Sequence, residues 1–236
     1  MRTADRLLAS GRDADIYEVS AGLVLRRSRD GRSLAPEAEV MDHVRRAGFP
    51  APRVDDLQDD GAGLVMERVD GPLMGEAVLR QPWRLFEFAR LLAELHRSLG
   101  SIPAPAGLRP LGDDGDSVVH LDLHPYNVIM ASHGPVVIDW SSAARGRPET
   151  DVAATWVIIQ CSEIPGSPMQ SALSRLGRTA FLRSFLRHSA KEAAGHVLRA
   201  VISARISDPH VTDRERRYLV RWALSLEPSS QLSSAP

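Results

Sequence analysis

Residues 118–130 read Val-Val-His-Leu-Asp-Leu-His-Pro-Tyr-Asn-Val-Ile-Met, so His120, Asp122, His124 and Asn127 fall close together between apolar stretches. Asp139 follows at the end of Pro-Val-Val-Ile-Asp. Two carboxylates and one amide oxygen suit a hard cation such as Mg²⁺, which takes oxygen ligands from a few protein groups and from phosphates. A carboxylate outside the metal shell can orient or deprotonate a hydroxyl. Together these are the needs of phosphoryl transfer, where positioning and charge neutralisation dominate. A rival chemistry uses the same residues: His120, Asp122 and His124 alternate as if along one strand face and could ligate the metal of a hydrolase. Such a site needs further His or Asp clusters, and the sequence offers none.

Something must bring Asp122, Asn127 and Asp139 together. Asn127–Ala131 and Pro135–Asp139 are apolar strands around Ser132-His133-Gly134, a three-residue hairpin loop with Gly134 at the left-handed position. Pairing Ala131 with Pro135 sets Asn127 opposite Asp139, with Asp122 in the loop that feeds that end. Upstream, Ile16–Val19 and Leu23–Arg26 predict a hairpin. Pro36 opens a helix closed by Gly48, with Met41 and Val44 on its inner face. Leu64–Val69 predicts a strand, and Asp70-Gly71-Pro72 ends a first lobe. Pro82–Leu99 carries Leu85, Phe88, Leu92, Leu95 and Leu99 at helical spacing. Ile102–Gly115 reads as a loop. Beyond Thr150 the pattern is helical over Val152–Cys161, Gln170–Ser189, Glu192–Ile206 and Asp213–Leu226, with breaks near Pro165–Pro168 and at Pro209. The expected organisation is residues 1–70, residues 71–227 and a disordered Ser-rich tail over 228–236.

The run His120-Leu-Asp122-Leu-His124-Pro-Tyr-Asn127 matches the H-x-D-x-x-x-x-N catalytic loop of kinases. With Ile138-Asp139-Trp140 in place of D-F-G, the chain resembles the aminoglycoside phosphotransferase and choline kinase-like family of small-molecule kinases, from a loop at Gly11 to the C-terminal helices. The resemblance implies an α+β, bilobal protein-kinase-like fold. A small antiparallel sheet lobe with one helix would bind ATP, and a larger helical lobe would hold catalysis and substrate. It implies Asp122 as catalytic base or hydroxyl-orienting residue, Asn127 and Asp139 on Mg²⁺, His120 as a brace and His124 at the γ-phosphate. Glu67 to Gly71, with Val69, resembles the hinge that holds adenine through its backbone. Gly146 to Asp151 resembles the segment that anchors the next helix, with Asp151 structural. Strand alternation turns Val24 toward adenine and Arg26 toward phosphate, with Glu37 as the helix partner of Arg26 and Glu39 as its substitute. Arg26 stands where these kinases use lysine, and Ser10–Asp15 has one glycine, Gly11, where kinases have three. Those departures keep a second reading open, a catalytically weak kinase-like nucleotide-binding module.

Composition narrows the field. The 236 residues carry 29 basic and 30 acidic side chains, so no overall field draws the chain to nucleic acid. All basic residues are arginine except Lys191. One cysteine, Cys161, excludes a disulfide framework and reads as a small packed residue. No apolar run reaches membrane-spanning length and no signal peptide is visible, which predicts a cytoplasmic protein without a membrane partner. His96 and His133 read as packing, and His188, His196 and His210 as surface or packing. Trp83, Trp156 and Trp222 read as core. Asp113, Asp114, Glu149 and Glu163 would suit a cationic acceptor such as an aminoglycoside, and Glu163 a contact to it. No activation segment ending in A-P-E follows Asp139, so the expected acceptor is the hydroxyl of a small molecule. No oligomeric state follows from the sequence.

Overall fold

The computed structural model describes residues 6–11, 13–112, 114–161, 168–208 and 211–226, with the backbone alone for 168–174. Asp113, Glu163, Pro165–Ser167, Pro209, His210 and the tail 228–236 therefore lie outside the described residues.

The chain opens with β1 (Arg6–Ser10), β2 (Ala14–Ser20) and β3 (Leu23–Ser28), then α1 (Ala35–Arg46), β4 (Val54–Gln58) and β5 (Gly63–Glu67). They form one five-stranded antiparallel sheet in the order β1-β2-β3-β5-β4. Period-two alternation sorts β3. Leu25 joins Val19 and Val65 in a small cluster on one face, with Tyr17 and Leu23 against it. Val24 and Arg26 take the other face. Pro36 stands in the first turn of α1 and Gly48, at φ 85°, follows its end. Val40, Met41 and Val44 of α1 pack into the main core.

Next come α2 (Met74–Arg80), a 3₁₀ turn at Pro82–Arg84 and α3 (Leu85–Gly100). The Leu85, Phe88, Leu92, Leu95 and Leu99 stripe of α3 is buried along its length. Two short strands and a hairpin follow: β6 (Ser117–Val119), β7 (Val128–Ala131), β8 (Gly134–Val137) and β9 (Ala144–Gly146). β6 pairs with β9 and β7 with β8. The rest is helical, α4 (Pro148–Cys161), α5 (Pro168–His188), α6 (Lys191–Ile206) and α7 (Asp213–Ser225). One buried cluster runs from α1 and Leu64 through α3, Trp140 and α4 to Leu219 of α7.

Several local expectations are corrected. Ala131 pairs with Gly134 and Met130 with Pro135, so the hairpin has a two-residue turn and its register moves by one. Asn127 therefore faces Ile138, whose N–H bonds to the Asn127 carbonyl at 3.0 Å, rather than Asp139. The predicted helix from Pro82 is a 3₁₀ turn and then α3, and α2 and β4 appear where no element was expected. Trp83 is 75 % exposed, not core, because it rides the 3₁₀ turn outside the α3 stripe. Residues 120–124 are not a strand: pairing ends at Val119. The alternation that would have made His120, Asp122 and His124 a ligand face does not exist.

Candidate active site

Beyond β6 the chain turns through Leu121 at φ 64°, a left-handed conformation that a leucine adopts only when held. Asp151, in the first turn of α4, holds it. Its Oδ1 accepts the N–H of His120 at 3.1 Å and of Leu121 at 2.6 Å. Its Oδ2 lies 3.2 Å from Nδ1 of the buried His96. One turn along α4, the Thr155 hydroxyl donates to the Leu123 carbonyl at 2.7 Å and sits 3.1 Å from His96 Nε2. Burial would raise the Asp151 carboxyl, but His96, with His120 and the Leu121 amide, outweighs it and holds it low.

His120 packs on Trp140, ring centroids 4.7 Å apart. Its Nδ1 accepts the Asp122 N–H at 3.3 Å, which leaves Nε2–H to donate to the Ile138 carbonyl at 3.2 Å. Burial lowers its basicity despite three nearby carboxylates. Both ring nitrogens are thus spent on backbone, as a brace requires and a metal ligand forbids. Among the described residues no group of three or more His, Cys, Asp or Glu could hold a metal ion. The hydrolase reading loses its ligands.

Asp122 itself is partly exposed. Asn127 closes a 3₁₀ turn, Pro125–Asn127, and its Nδ2 donates to both Oδ2 and the carbonyl of Asp122, at 2.8 and 2.9 Å. The amide nitrogen is committed, so Oδ1 is the atom available to a cation. His124 caps the same turn: its Nδ1 accepts the Tyr126 N–H at 3.2 Å. The proton therefore sits on Nε2, 3.5 Å from Asp122 Oδ1. Burial lowers the His124 pKa against the pull of Asp122, which favours the neutral ring.

Asp139 follows β8 at φ 62°, and this turn brings its carboxylate to the cleft in place of the expected cross-strand pairing. Arg26 Nη2 bonds to it at 3.1 Å, and the Ser141 hydroxyl at 2.9 Å. Arg26 Nε lies 3.2 Å from Glu37 Oε2, a buried ion contact without an aligned hydrogen bond. One guanidinium so ties the sheet, α1 and the segment after β8. Burial outweighs Arg26 at Glu37 and raises its pKa. At Asp139 burial pulls upward, but Arg26 and Ser141 win and the carboxylate stays ionised. Two oxygen donors, one fully charged, fit Mg²⁺.

The remaining sequence-predicted residues are at the rim. Gly11 lies in the β1–β2 turn, its N–H bonded to the Ala14 carbonyl at 2.9 Å. An Asp15–Arg29 ion pair at 2.6 Å closes that turn, a device the glycine count did not reveal. Val24 is buried on the Arg26 face. The Glu67 carboxylate turns away to the Arg53 N–H at 3.0 Å, and the Glu67 N–H bonds to the Arg53 carbonyl at 2.8 Å. Glu39 is exposed and does not replace Glu37. Arg27 points to the opposite face and meets Asp59 at 3.2 Å. His96 and Thr155 were missed. Their only signal is proximity in space, since they are 59 residues apart.

Residues 5–117 and 103–192 match the profile of the phosphotransferase enzyme family APH. A curated relative, a probable serine/threonine-protein kinase BUD32 homolog of Archaeoglobus fulgidus, is 28% identical over 128 residues. That alignment takes in 54% of this chain and about half, 51%, of the relative. Among solved structures, aminoglycoside phosphotransferase APH(2'')-Ib with ADP superposes with a TM-score of 0.60 at 15% identity, over 93% of this chain and 90% of that one. A thermostable mutant of APH(4)-Ia in ternary complex with ADP and hygromycin B gives 0.61 at 17%, over 94% and 86%. A choline/ethanolamine kinase family protein from Mesorhizobium loti gives 0.54 at 15%, over 94% and 87%. At these identities the likeness is one of fold, the bilobal kinase-like fold.

Proposed function

Because the chain belongs to the phosphotransferase enzyme family, we propose that it moves the γ-phosphate of ATP to a hydroxyl of a small molecule, an aminoglycoside-like antibiotic or a metabolite. The observation that carries this is the meeting of Arg26, Glu37 and Asp139 across three elements, beside an Asp122 held by Asn127. Asp122 orients the acceptor hydroxyl and takes its proton as the oxygen attacks the γ-phosphorus. The bond from that phosphorus to the bridging oxygen breaks, and ADP leaves with the electron pair. Asn127 Oδ1 and Asp139 would hold Mg²⁺, which would neutralise charge on the phosphates. Arg26, kept in the cleft by Glu37, exchanges its contact with Asp139 for phosphate oxygens in a bidentate fork. Neutral His124 offers Nε2–H to the γ-phosphate. Glu67 and Val69 present backbone to adenine, Val24 its face, and the turn at Gly11 covers the phosphates.

The second reading is a nucleotide-binding module of low activity, favoured by the engagement of Arg26 with Asp139. Purified protein with Mg-ATP and a panel of hydroxylated antibiotics and metabolites separates the two. Phosphate mass gain on an acceptor supports the transferase. Tight Mg-ATP binding with neither acceptor nor water phosphorylated supports the module, and no Mg-ATP binding removes both.

A further inference from the structure

One large side chain in the loop of Asp122 takes no part in the transfer chemistry. Among the described residues the exposed aromatic rings are Trp83, Phe86, Tyr126 and Tyr218, and of these only Tyr126 belongs to the catalytic loop. It is 51% exposed. Its N–H bonds to His124 Nδ1 at 3.2 Å, and the next residue, Asn127, holds the Asp122 carboxylate at 2.8 Å. The ring lies 6.4 Å from the His124 imidazole, edge to face, and His124 Nε2 lies 3.5 Å from Asp122 Oδ1. Contacts therefore run without a break from the reacting carboxylate to the Tyr126 ring.

That ring is held in place. Gly75, the second residue of α2, is buried against it. A Cβ at Gly75 would lie 2.7 Å from Cε2 and Cζ of Tyr126 and 2.9 Å from Cε1. A point so close to three adjacent ring carbons lies over the ring face, not beside its edge. One face of Tyr126 thus rests on the Gly75 Cα, and the exposure of the residue belongs to the opposite face and the rim. Glycine permits this approach because it has no side chain to push the ring away.

Fastening α2 beside the loop does not require the ring. The linker ahead of α2 is already joined to the β7–β8 hairpin. The Met130 N–H bonds to the Pro72 carbonyl at 2.8 Å, and Leu73 bridges to Ile129. Gly71 approaches the same hairpin so closely that a Cβ there would lie 2.4 Å from the Met130 carbonyl oxygen. Packing accounts for one face of Tyr126 and leaves the other clear. An aromatic ring fixed on one side and open on the other is a pre-organised stacking surface.

We propose that Tyr126 is the platform that selects the acceptor: a saturated ring bearing hydroxyls, a sugar or cyclitol, lays its C–H face on the open face of Tyr126 and turns one hydroxyl to Asp122. This rests on the phosphotransferase reading above. The apolar face and polar tip of a tyrosine match a ring whose faces are C–H and whose rim is hydroxyl. An open-chain polyol has no fixed face and loses more rotational freedom in lying flat. The ribose of ATP offers the same chemistry as a ring-bearing acceptor, so the two sources are separated by experiment.

The test uses the full chain with Mg-ATP and matched probes: glucose against sorbitol, myo-inositol against mannitol, and kanamycin as a compound of several rings. Phosphate mass gain should favour the rings over their open-chain partners. Tyr126→Ala should raise KM for the favoured ring by about two- to tenfold, the worth of an aromatic contact, with a smaller change in kcat. Tyr126→Phe and Tyr126→Trp should keep most of the wild-type affinity. Gly75→Ala displaces the ring without removing it, because the obstructing atoms belong to a side chain with solvent behind it. It should raise the same KM, and should add nothing in the Tyr126→Ala background. A ring that only packs would lower the urea midpoint in Tyr126→Ala and leave KM for the acceptor alone, which would overturn the proposal. A raised ATP requirement with an unchanged acceptor KM would give the platform to ribose and overturn it too, as would preference for sorbitol and mannitol. If no probe is phosphorylated, calorimetry on the Mg-ADP-loaded protein decides. Ring binding that weakens in Tyr126→Ala supports the proposal, and no ring binding overturns it. Failure of the underlying reading shows separately, as absence of Mg-ATP binding to the unaltered chain.

Discussion

At the scale of single residues, the reaction centre depends on which side of β3 an arginine takes. Arg26 lies on the cleft face with Val24, while Arg27 lies on the other with Asp59. Arg26→Ala should raise the ATP concentration needed for half-maximal turnover by at least about tenfold, and Arg27→Ala by less than about twofold, since exposed pairs carry little energy. Steady-state titration of ATP against both variants checks this, and equal effects would mean the register is misassigned. Asp122→Asn should keep nucleotide binding and cost about 10²–10⁴ in turnover, the span of general acid–base help. Asp139→Ala should weaken Mg-ATP binding more than Asn127→Ala, because a carboxylate brings full charge and an amide a dipole. The reverse order in calorimetry contradicts the ligand assignment. Residue types alone pointed to Asp122, Asn127 and Asp139, since few chemistries need that set. They could not point to His96, because a histidine within an apolar helix looks the same whether it packs or braces.

Short elements carry the precision of the site, and they were the hardest to foresee. The long amphipathic stripe of α3 was readable because five apolar residues recur at one spacing. β6, β9 and α2 have too few residues for any period to show. The hairpin register failed for a related reason: a two-residue and a three-residue turn both accommodate Gly134, and only packing decides. What the register lost, the backbone regained at Asp139 and Leu121, where positive φ re-aims the chain. At Leu121 that geometry is held by α4, which makes acid sensitivity a property of this element. The Asp151 carboxyl is held below its ordinary value, so the stability it contributes is present above about pH 3.9, the unfolded value, and is lost as pH falls through the folded one. Urea unfolding at pH 7 and pH 3 should show a smaller loss of stability in Asp151→Asn than in wild type. The β6–β9 pair has its own close approach. A Cβ at Gly115 would lie 2.1 Å from the backbone of Gly146 and Arg147, with no side chain to yield. Gly115→Ala should cost about 1–3 kcal/mol, read as a lower urea midpoint at unchanged m.

Across the whole molecule the open matter is how large an acceptor the site admits. Protein kinases build a peptide platform from a long segment between the metal-binding Asp and A-P-E. Here only residues 140–147 separate Asp139 from α4, and three of them pair with β6 as β9. Arg109 fastens this link further by donating to the Ser142 carbonyl at 3.2 Å. A segment so short and so tied cannot open into an extended docking strand for a polypeptide. The loop of Asp122 is backed instead by α4, through Asp151 and Thr155. The archaeal relative named as a probable protein kinase shares about half its length with this chain. Its name therefore bears on the common core and not on the acceptor. The expected outcome with radiolabelled ATP is no label on casein, on a basic protein such as histone, or on the chain itself. A small hydroxyl compound should take the label under the same conditions. Label on Ser or Thr of a polypeptide, with no small acceptor found, would show that the short link does not exclude protein substrates.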